Sequence, residues 1–533
     1  MTRLAEWAML SHGWRRFLML LVAGAVAATS APPIFIVPAL FVTFPVWVWA
    51  LDGAERRPGL GRIFGPAFGI GFAFGWGYFS VAFHWLGAAF FLEGGPLFLV
   101  LMPFAIAALA ALIALFWGLG SALAHLCWSH GAWRIVSLAA FLSLAEYARG
   151  TLFTGFPFDL LGYALTANPQ MMQLASIVGV YGLTALAALL AMTPALIWPA
   201  DGRGLVARLV PLFLALVVIA GQIGWGNWRL NATPVPADDG IKVRLVQPMI
   251  TEHTNWDLAK PPEIVTRLID LSSGSGGLAD KALVVWPESV FPFFMSQYPE
   301  GLARIGRMLP PTTTLLTGAP REPESDTGDP EDNPGYNSLL AINNQGEVVA
   351  SYDKAHLVPF GEYLPFQNFW KLFGIRQFVP GTNGWQPGSG KRLVTAPNVP
   401  AFIALICYEA IFSGDLGADP AAADFLLNIS NDEWFLGSIG PAQHAHHALL
   451  RAVETGLPML RATNSGVTFI ADPLGRIVAS LPEGQPLVLD GAIPGKLPPT
   501  IFDRFGNWPF LAAVLAGILL AILTRTRRRT AIV

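Results

Sequence analysis

Long apolar runs constrain this chain more than any other feature. Runs near the ~20 residues that a helix needs to cross a bilayer fill its first 228 positions and return near its end. They lie at 17–28, Ile34–Leu51, Phe64–Trp85, Pro96–His125, Trp133–Ala148, Met171–Trp198, Leu209–Gly226 and Trp508–Thr524. The first, FLMLLVAGAVAA, has the length of a signal-peptide core. Another apolar run begins at once behind Pro32-Pro33, so a membrane hairpin is the better reading. Composition agrees, because 53% of the chain is hydrophobic and only 13% is charged, about half the charge of a soluble domain. No lysine precedes Lys242, and none follows Lys496. The chain is therefore a composite, with a polar middle between apolar ends.

Basic residues orient the spans, because they gather on the cytoplasmic side. Arg15 and Arg16 precede the first span. Arg56, Arg57 and Arg62 follow the second, Arg134 the fourth, Arg203 and Arg208 the sixth, and Arg525, Arg527, Arg528 and Arg529 the eighth. Eight spans place all of these on one side and both termini in the cytoplasm. The expected organisation is a seven-span membrane domain over 1–228, an extracytoplasmic domain over 229–500, and a last span with a basic tail over 501–533. Cys127 then faces the cytoplasm and Cys407 the opposite side, so the two cysteines of the chain cannot pair. A net charge of −3 gives no reason to expect nucleic acid. Nothing demands more than one copy of the chain.

The polar middle reads as a folded α/β domain. Strand-like runs recur at Lys242–Val246, Ala282–Trp286, Thr314–Thr317, Ser338–Ile342, Val348–Tyr352, Phe402–Cys407, Phe425–Ile429, Val467–Ala471 and Arg476–Ser480. Turn signals at Asn343–Gly346 and Asp472–Gly475 predict hairpins. Helical patterns at Pro262–Ser272 and Ala442–Gly456 lie between strands, which predicts sheets faced by helices. Arg321–Gly335 is acidic, proline-rich and solvated in character. An insert over His356–Arg392 carries Phe366, Phe369, Trp370, Leu372, Phe373 and Phe378 at loosely helical spacing. It reads either as a helix on its own domain or as an arm dipping into the membrane interface.

Three residues stand just beyond predicted strands: Glu288 after ALVVWP, Lys354 after VVASYD and Cys407 after AFIALI. A thiol is a weak nucleophile until it loses its proton, and Glu288 is a base that can accept it. Lys354 and the backbone N–H of Tyr408 can stabilise the oxyanion that follows. No metal or cofactor is required. Taken singly, each residue has a plainer reading: a core cysteine, a capping carboxylate, an exposed lysine. The cluster His444, His446 and His447 suggests a metal, but these positions share no helix face and lack carboxylate or cysteine partners. It reads as a polar helix face. Glu146, Arg149 and Asp159 close span five and read as a structural ion pair rather than a lipid pathway.

WPES at 286–289, SYDKAHLVPFGEYLP at 351–365, ICYE at 406–409 and ISNDEWF at 429–435 together resemble the carbon–nitrogen hydrolase (nitrilase) superfamily. That resemblance implies an αββα sandwich with a Glu–Lys–Cys triad. A nitrilase-like domain between seven spans and one, with TGFPFDLLGY at 154–163 and GNWP at 506–509, is similar to the apolipoprotein N-acyltransferase family. The resemblance implies roles: Glu288 as base, Lys354 as oxyanion partner, Cys407 as nucleophile, and Glu362 as a second glutamate on the lid side of the pocket. It also implies that Tyr408, Glu409, Asn337, Trp256 and Trp434 surround the site. The chain departs from the family's NDAWFG pattern at Glu433 and Leu436. The implied reaction passes an acyl chain from a membrane phospholipid through a Cys407 thioester to the N-terminal amine of a diacylglyceryl-cysteine apolipoprotein. A membrane-tethered amidase and a non-catalytic membrane scaffold are the alternatives; the joint presence of Glu288, Lys354 and Cys407 argues against the scaffold.

Overall fold

The structure is a computed structural model. It describes every residue except 1, 56–57, 94–95, 130, 200–201, 203, 238–239, 251–260, 275, 324–334, 367–371, 373–383 and 530–533. Two compact units emerge, one of Met1–Thr233 with Arg504–Val533, the other of Pro234–Asp503.

The first unit is helical. Among the described residues, five helices are long and apolar enough to cross a membrane: Leu99–Leu126, Trp133–Thr154, Ala175–Leu196, Leu205–Ala232 and Trp508–Arg525. A sixth arises if Gly59–Ala82 and His84–Phe91, bent by 50° at their junction, form one span. The first two expected spans appear as the helices Gly13–Ala27 and Pro38–Asp52, each of 15 residues, short of the ~20 that a bilayer requires. Proline punctuation trims both, with Pro32-Pro33 between them and Pro38 opening the second. Small residues let Gly13–Ala27 lie close against Pro66–Ala82. A Cβ added at Gly24 would sit 1.9 Å from the Phe74 carbonyl oxygen, and one at Gly77 would sit 1.9 Å from that of Leu21. Close approach of this kind is how helices associate where no hydrophobic drive separates them from lipid. Trp47, Phe74 and Trp117 stack in the interior.

The segment after Trp133–Thr151 is more than a connector. Residues 157–166 are all buried. Arg149 pairs with Glu146 at 2.8 Å, both side chains wholly buried, and donates to the carbonyls of Phe156 and Phe158. Glu146 also accepts from Trp117 Nε1 at 2.7 Å. The ion pair thus folds the segment inward, as the structural reading of Glu146 and Arg149 expects.

The second unit contains two six-stranded sheets. The first is ordered β12-β1-β2-β3-β4-β5, where β1 is Lys242–Gln247, β2 Leu283–Trp286, β3 Thr314–Arg321, β4 Tyr336–Ile342, β5 Val348–Asp353 and β12 Leu487–Ala492. The second is ordered β11-β10-β9-β8-β7-β6, where β6 is Leu393–Ala396, β7 Val399–Ile406, β8 Phe425–Ser430, β9 Met459–Thr463, β10 Phe469–Ala471 and β11 Ile477–Ser480. Each sheet has a parallel centre, β1-β2-β3 or β7-β8-β9, flanked by antiparallel strands. Central parallel strands are covered on both faces and read as continuous apolar runs, which is why LVVW and FIALI were visible as strands.

Side-chain alternation assigns the faces. Leu283 and Val285 from one sheet meet Phe402, Ala404, Ile406, Phe425 and Leu427 from the other in a single core. Val284 and Trp286 face the opposite way, against Ile264, Val265 and Leu268 of helix Pro261–Ser273 and Ile305 of helix Pro299–Met308. Both predicted hairpins form, at β4-β5 and β10-β11. Strands β6, β9 and β12 and helix Pro299–Met308 were not anticipated. Within the 356–392 insert, Phe369, Trp370, Phe373 and Phe378 lie outside the described residues, as do 324–334 of the acidic loop. Phe366 and Leu372 are 77% and 80% exposed, so these two side chains are not packed into the core of their own unit.

Candidate active site

Two central strands, β2 and β7, and the edge strand β5 end at the candidate groups. Strand β2 ends at Trp286, and the turn behind it carries Glu288. Strand β5 ends at Asp353, next to Lys354. Strand β7 ends at Ile406, and Cys407 opens the following 3-10 turn.

Glu288 and Lys354 form a buried ion pair. Lys354 Nζ lies 3.2 Å from Glu288 Oε1 and 2.9 Å from Glu362 Oε1, with its side chain 1% exposed. Asn337 Nδ2, from β4, donates to the same two carboxylate oxygens at 2.8 and 2.9 Å. The other Glu288 oxygen accepts the Asn431 N–H at 2.9 Å. Glu362 closes its own loop by accepting the Val358 N–H at 2.8 Å. Burial works against the Lys354 charge, but Glu288, Glu362 and Cys407 outweigh it and raise its pKa well above the ordinary value. The ammonium therefore persists throughout the neutral range.

Cys407 is partly exposed and adopts a left-handed backbone, φ 49°. A non-glycine residue held there stores about 1–3 kcal/mol of strain, as a nucleophile on a sharp strand-to-turn corner does. Burial, then the charge of Glu288, push its thiol pKa up, while Lys354 and a hydrogen bond to Ser430 oppose them. The group remains a thiol at neutral pH and needs a base at the moment of attack.

Glu409 ties these parts together. It is fully buried. One oxygen accepts from the Tyr352 hydroxyl at 2.9 Å and from the N–H groups of Ala355 and His356 at 2.9 and 3.1 Å. The other accepts the Ile406 N–H at 2.8 Å. The residue after Lys354 and the residue before Cys407 thus hang from one carboxylate. Tyr408 packs edge-on to Phe412 and beside His356. Trp434 lies partly exposed in the turn beyond β8, three residues from Asn431. Trp256 lies outside the described residues.

Backbone crowding fixes Glu288. A Cβ added at Gly318 on β3 would fall 2.5 Å from Glu288 Cα and 2.6 Å from the Pro287 oxygen, so the turn itself would have to move. Gly318→Ala is expected to lower turnover about 100-fold by misplacing the carboxylate. Assaying purified Gly318→Ala checks this, and wild-type turnover would refute it.

The histidine cluster corrects the sequence reading. His444 and His447 are 6% and 0% exposed, not part of a polar outer face. Helix Gly440–Thr455 is buried almost all round, and His444 and His447 go with it, while His446 is partly exposed. His444 reaches the Cys407 carbonyl, Asp432 and Arg461, a contact that sequence reasoning missed. The available signal was the helix itself: Ala445, Ala448, Leu449, Ala452 and Val453 leave little circumference for water. Among the described residues, no group of three or more His, Cys, Asp or Glu is placed to hold a metal. At the departures from the family pattern, Glu433 is buried, with one oxygen 3.5 Å from Asn464 Nδ2, and Leu436 is 36% exposed.

The site holds a carboxylate and an ammonium 3.2 Å apart, and both charges act on the Cys407 thiol, which are the parts that acyl transfer through a cysteine needs. Comparison with known proteins gives the family. Residues 23–193 match the model of the apolipoprotein N-acyltransferase N-terminal domain, and residues 242–497 match that of the carbon–nitrogen hydrolases. The apolipoprotein N-acyltransferase of Rhodopseudomonas palustris is 38% identical over 535 residues, covering 99% of this chain and 98% of that protein. Its counterpart in Bradyrhizobium diazoefficiens is 39% identical over 527 residues, covering 98% and 97%. That of Agrobacterium fabrum is 40% identical over 500 residues, covering 93% of each.

Proposed function

The chain belongs to the apolipoprotein N-acyltransferase family, and from that premise we propose a two-step transfer through Cys407. It is an acyltransferase built on a carbon–nitrogen hydrolase domain. The donor is a membrane phospholipid, and the acceptor is the N-terminal amine of a diacylglyceryl-modified apolipoprotein.

In the first half, Glu288 takes the Cys407 proton as sulfur attacks the ester carbonyl carbon. The negative oxygen of the tetrahedral intermediate is stabilised by Lys354 and by the Tyr408 N–H. The carbon–oxygen bond breaks, and the leaving alkoxide takes the proton from Glu288, giving a lysophospholipid and a thioester. In the second half, the amine attacks the thioester carbon and Glu288 accepts its proton. The carbon–sulfur bond breaks, and the thiolate recovers the proton. Each half uses the same base and the same oxyanion site, so no further co-reactant is needed.

The observation that carries this reading is the buried Glu288–Lys354 pair, whose two charges both act on the Cys407 thiol. Eight spans, with the 234–503 unit outside the cytoplasm, are the topology we infer. The arginines that flank alternate spans support it, with the two 15-residue helices crossing where flanking residues complete the span. A single chain suffices for the chemistry. Exposed Phe366 and Leu372 support an apolar arm for lipid substrates.

The test is to incubate purified protein with phospholipid labelled in its acyl chain. Wild type is expected to acquire a hydroxylamine-sensitive label, and Cys407→Ser to acquire none. An unlabelled wild type, or equal labelling of the two, would sink the thioester mechanism.

A further inference from the structure

Beneath Cys407 lies a charged assembly that the two-step scheme does not use. His444 Nε2 is 3.0 Å from the Cys407 carbonyl oxygen. His444 Nδ1 lies 3.1 Å from Asp432 Oδ1 and 3.3 Å from an Arg461 guanidinium nitrogen. Asp432 accepts from Ser430 Oγ at 2.7 Å and pairs with Arg461 at 2.6 Å. Asp432 and Arg461 are 2% and 0% exposed. Burying such a pair is poor value as stabilisation, because apolar residues of similar volume often serve as well. Its position therefore asks for another reason.

The Cys407 carbonyl only accepts. Either Nδ1 donates to Asp432, leaving a doubly protonated ring, or it accepts from Arg461 in the neutral ring. Both states leave a proton on Nε2, so His444 donates to that carbonyl in each. The 407–408 peptide is trans, and in a trans peptide C=O and the next N–H point in opposite directions. A carbonyl pinned toward His444 therefore turns the Tyr408 N–H the other way. A left-handed residue keeps its conformation only where its surroundings over-determine it. Here Glu409 holds the chain on the upstream side, at Ile406, and His444 holds the Cys407 carbonyl.

We propose that His444 is a positioning residue for the oxyanion site: by anchoring the Cys407 carbonyl it aims the Tyr408 N–H at the acyl oxygen in both half-reactions. The inference rests on the acyl-transfer reading above. Asp432 and Arg461 hold the ring in place.

Two reactions of the same thiol test it on the full-length protein. Thioester formation from labelled phospholipid passes through an oxyanion. Alkylation of Cys407 by iodoacetamide, followed on the Cys407 peptide by mass spectrometry, displaces iodide and forms none. His444→Ala is expected to slow thioester formation about 100-fold and leave alkylation unchanged. His444→Gln, whose amide nitrogen can donate to the same carbonyl, should recover most of the rate. Asp432→Asn, which leaves His444 in place but loosens it, should slow thioester formation more weakly; because it also removes a negative charge that raises the Cys407 thiol pKa, its alkylation should be unchanged or faster, never slower. Parallel loss of both reactions, an unchanged thioester rate in His444→Ala and Asp432→Asn, or a Gln variant no better than Ala would each overturn the proposal. A wild type that alkylates but forms no thioester would instead overturn the acyl-transfer reading.

Discussion

Lys354→Met is expected to abolish thioester formation and to destabilise the hydrolase unit by about 3–5 kcal/mol, the usual cost of removing one partner from a buried ion pair. Methionine keeps much of the stem volume, so the loss is electrostatic. In the native site the ammonium sits 3.2 Å from Glu288 and 2.9 Å from Glu362. Without it, the facing Oε1 atoms of the two carboxylates share the amide of Asn337, and one carboxylate has to take up a proton. The catalytic loss has a second source, because a lost oxyanion partner alone costs about 100- to 1,000-fold. The two effects separate in a double variant. Lys354→Met with Glu362→Gln should regain much of the stability in thermal unfolding and none of the activity. A single variant that melts with wild type, or that still forms the thioester, would refute the account.

Glu288→Gln is expected to lower turnover by about 100- to 10,000-fold, the range ascribed to a positioned general base. The substitution is nearly isosteric but not innocent. Three donors converge on this carboxylate: Asn337 Nδ2, Lys354 Nζ and the Asn431 N–H. An amide offers one acceptor oxygen and turns its NH2 against another donor. Because the same group serves both halves, the variant should not accumulate acyl-enzyme. Quenched time courses with labelled phospholipid measure this directly. A variant that fills with thioester and then stalls would confine Glu288 to the second half.

The strands that carry Glu288 and Cys407 were legible because buried parallel strands are unbroken apolar runs bounded by turn signals. Lys354 was legible as a residue behind a strand, but its setting was not. The carboxylates on either side of it are 66 residues before and 8 residues after it, and only folding brings them to one nitrogen. Strand β9 escaped notice because MLRAT places Arg461 in its middle, and a buried arginine looks like a surface residue until its partners are known. Those partners, Asn428 and Asp432, come from β8 and the turn beyond it. His444 was misread for the same reason. A histidine on a helix reads as polar surface, and nothing local reveals that a carboxylate 12 positions earlier waits beside it. The membrane spans showed the opposite weakness. Apolar helices were plain from composition, and five or six of the described ones are long enough to cross a membrane, while Gly13–Ala27 and Pro38–Asp52 stop at 15 residues, where prolines punctuate the chain.

The left-handed turn at Cys407 means that the protein stores strain at the residue proposed to react. A glycine at this position would relax the backbone, because it carries no Cβ to clash at φ 49°. Selection for activity and selection for stability therefore pull against each other at a single codon. A descendant freed from the need to acylate would gain firmness by giving up its nucleophile first, and would keep the rest of the fold intact.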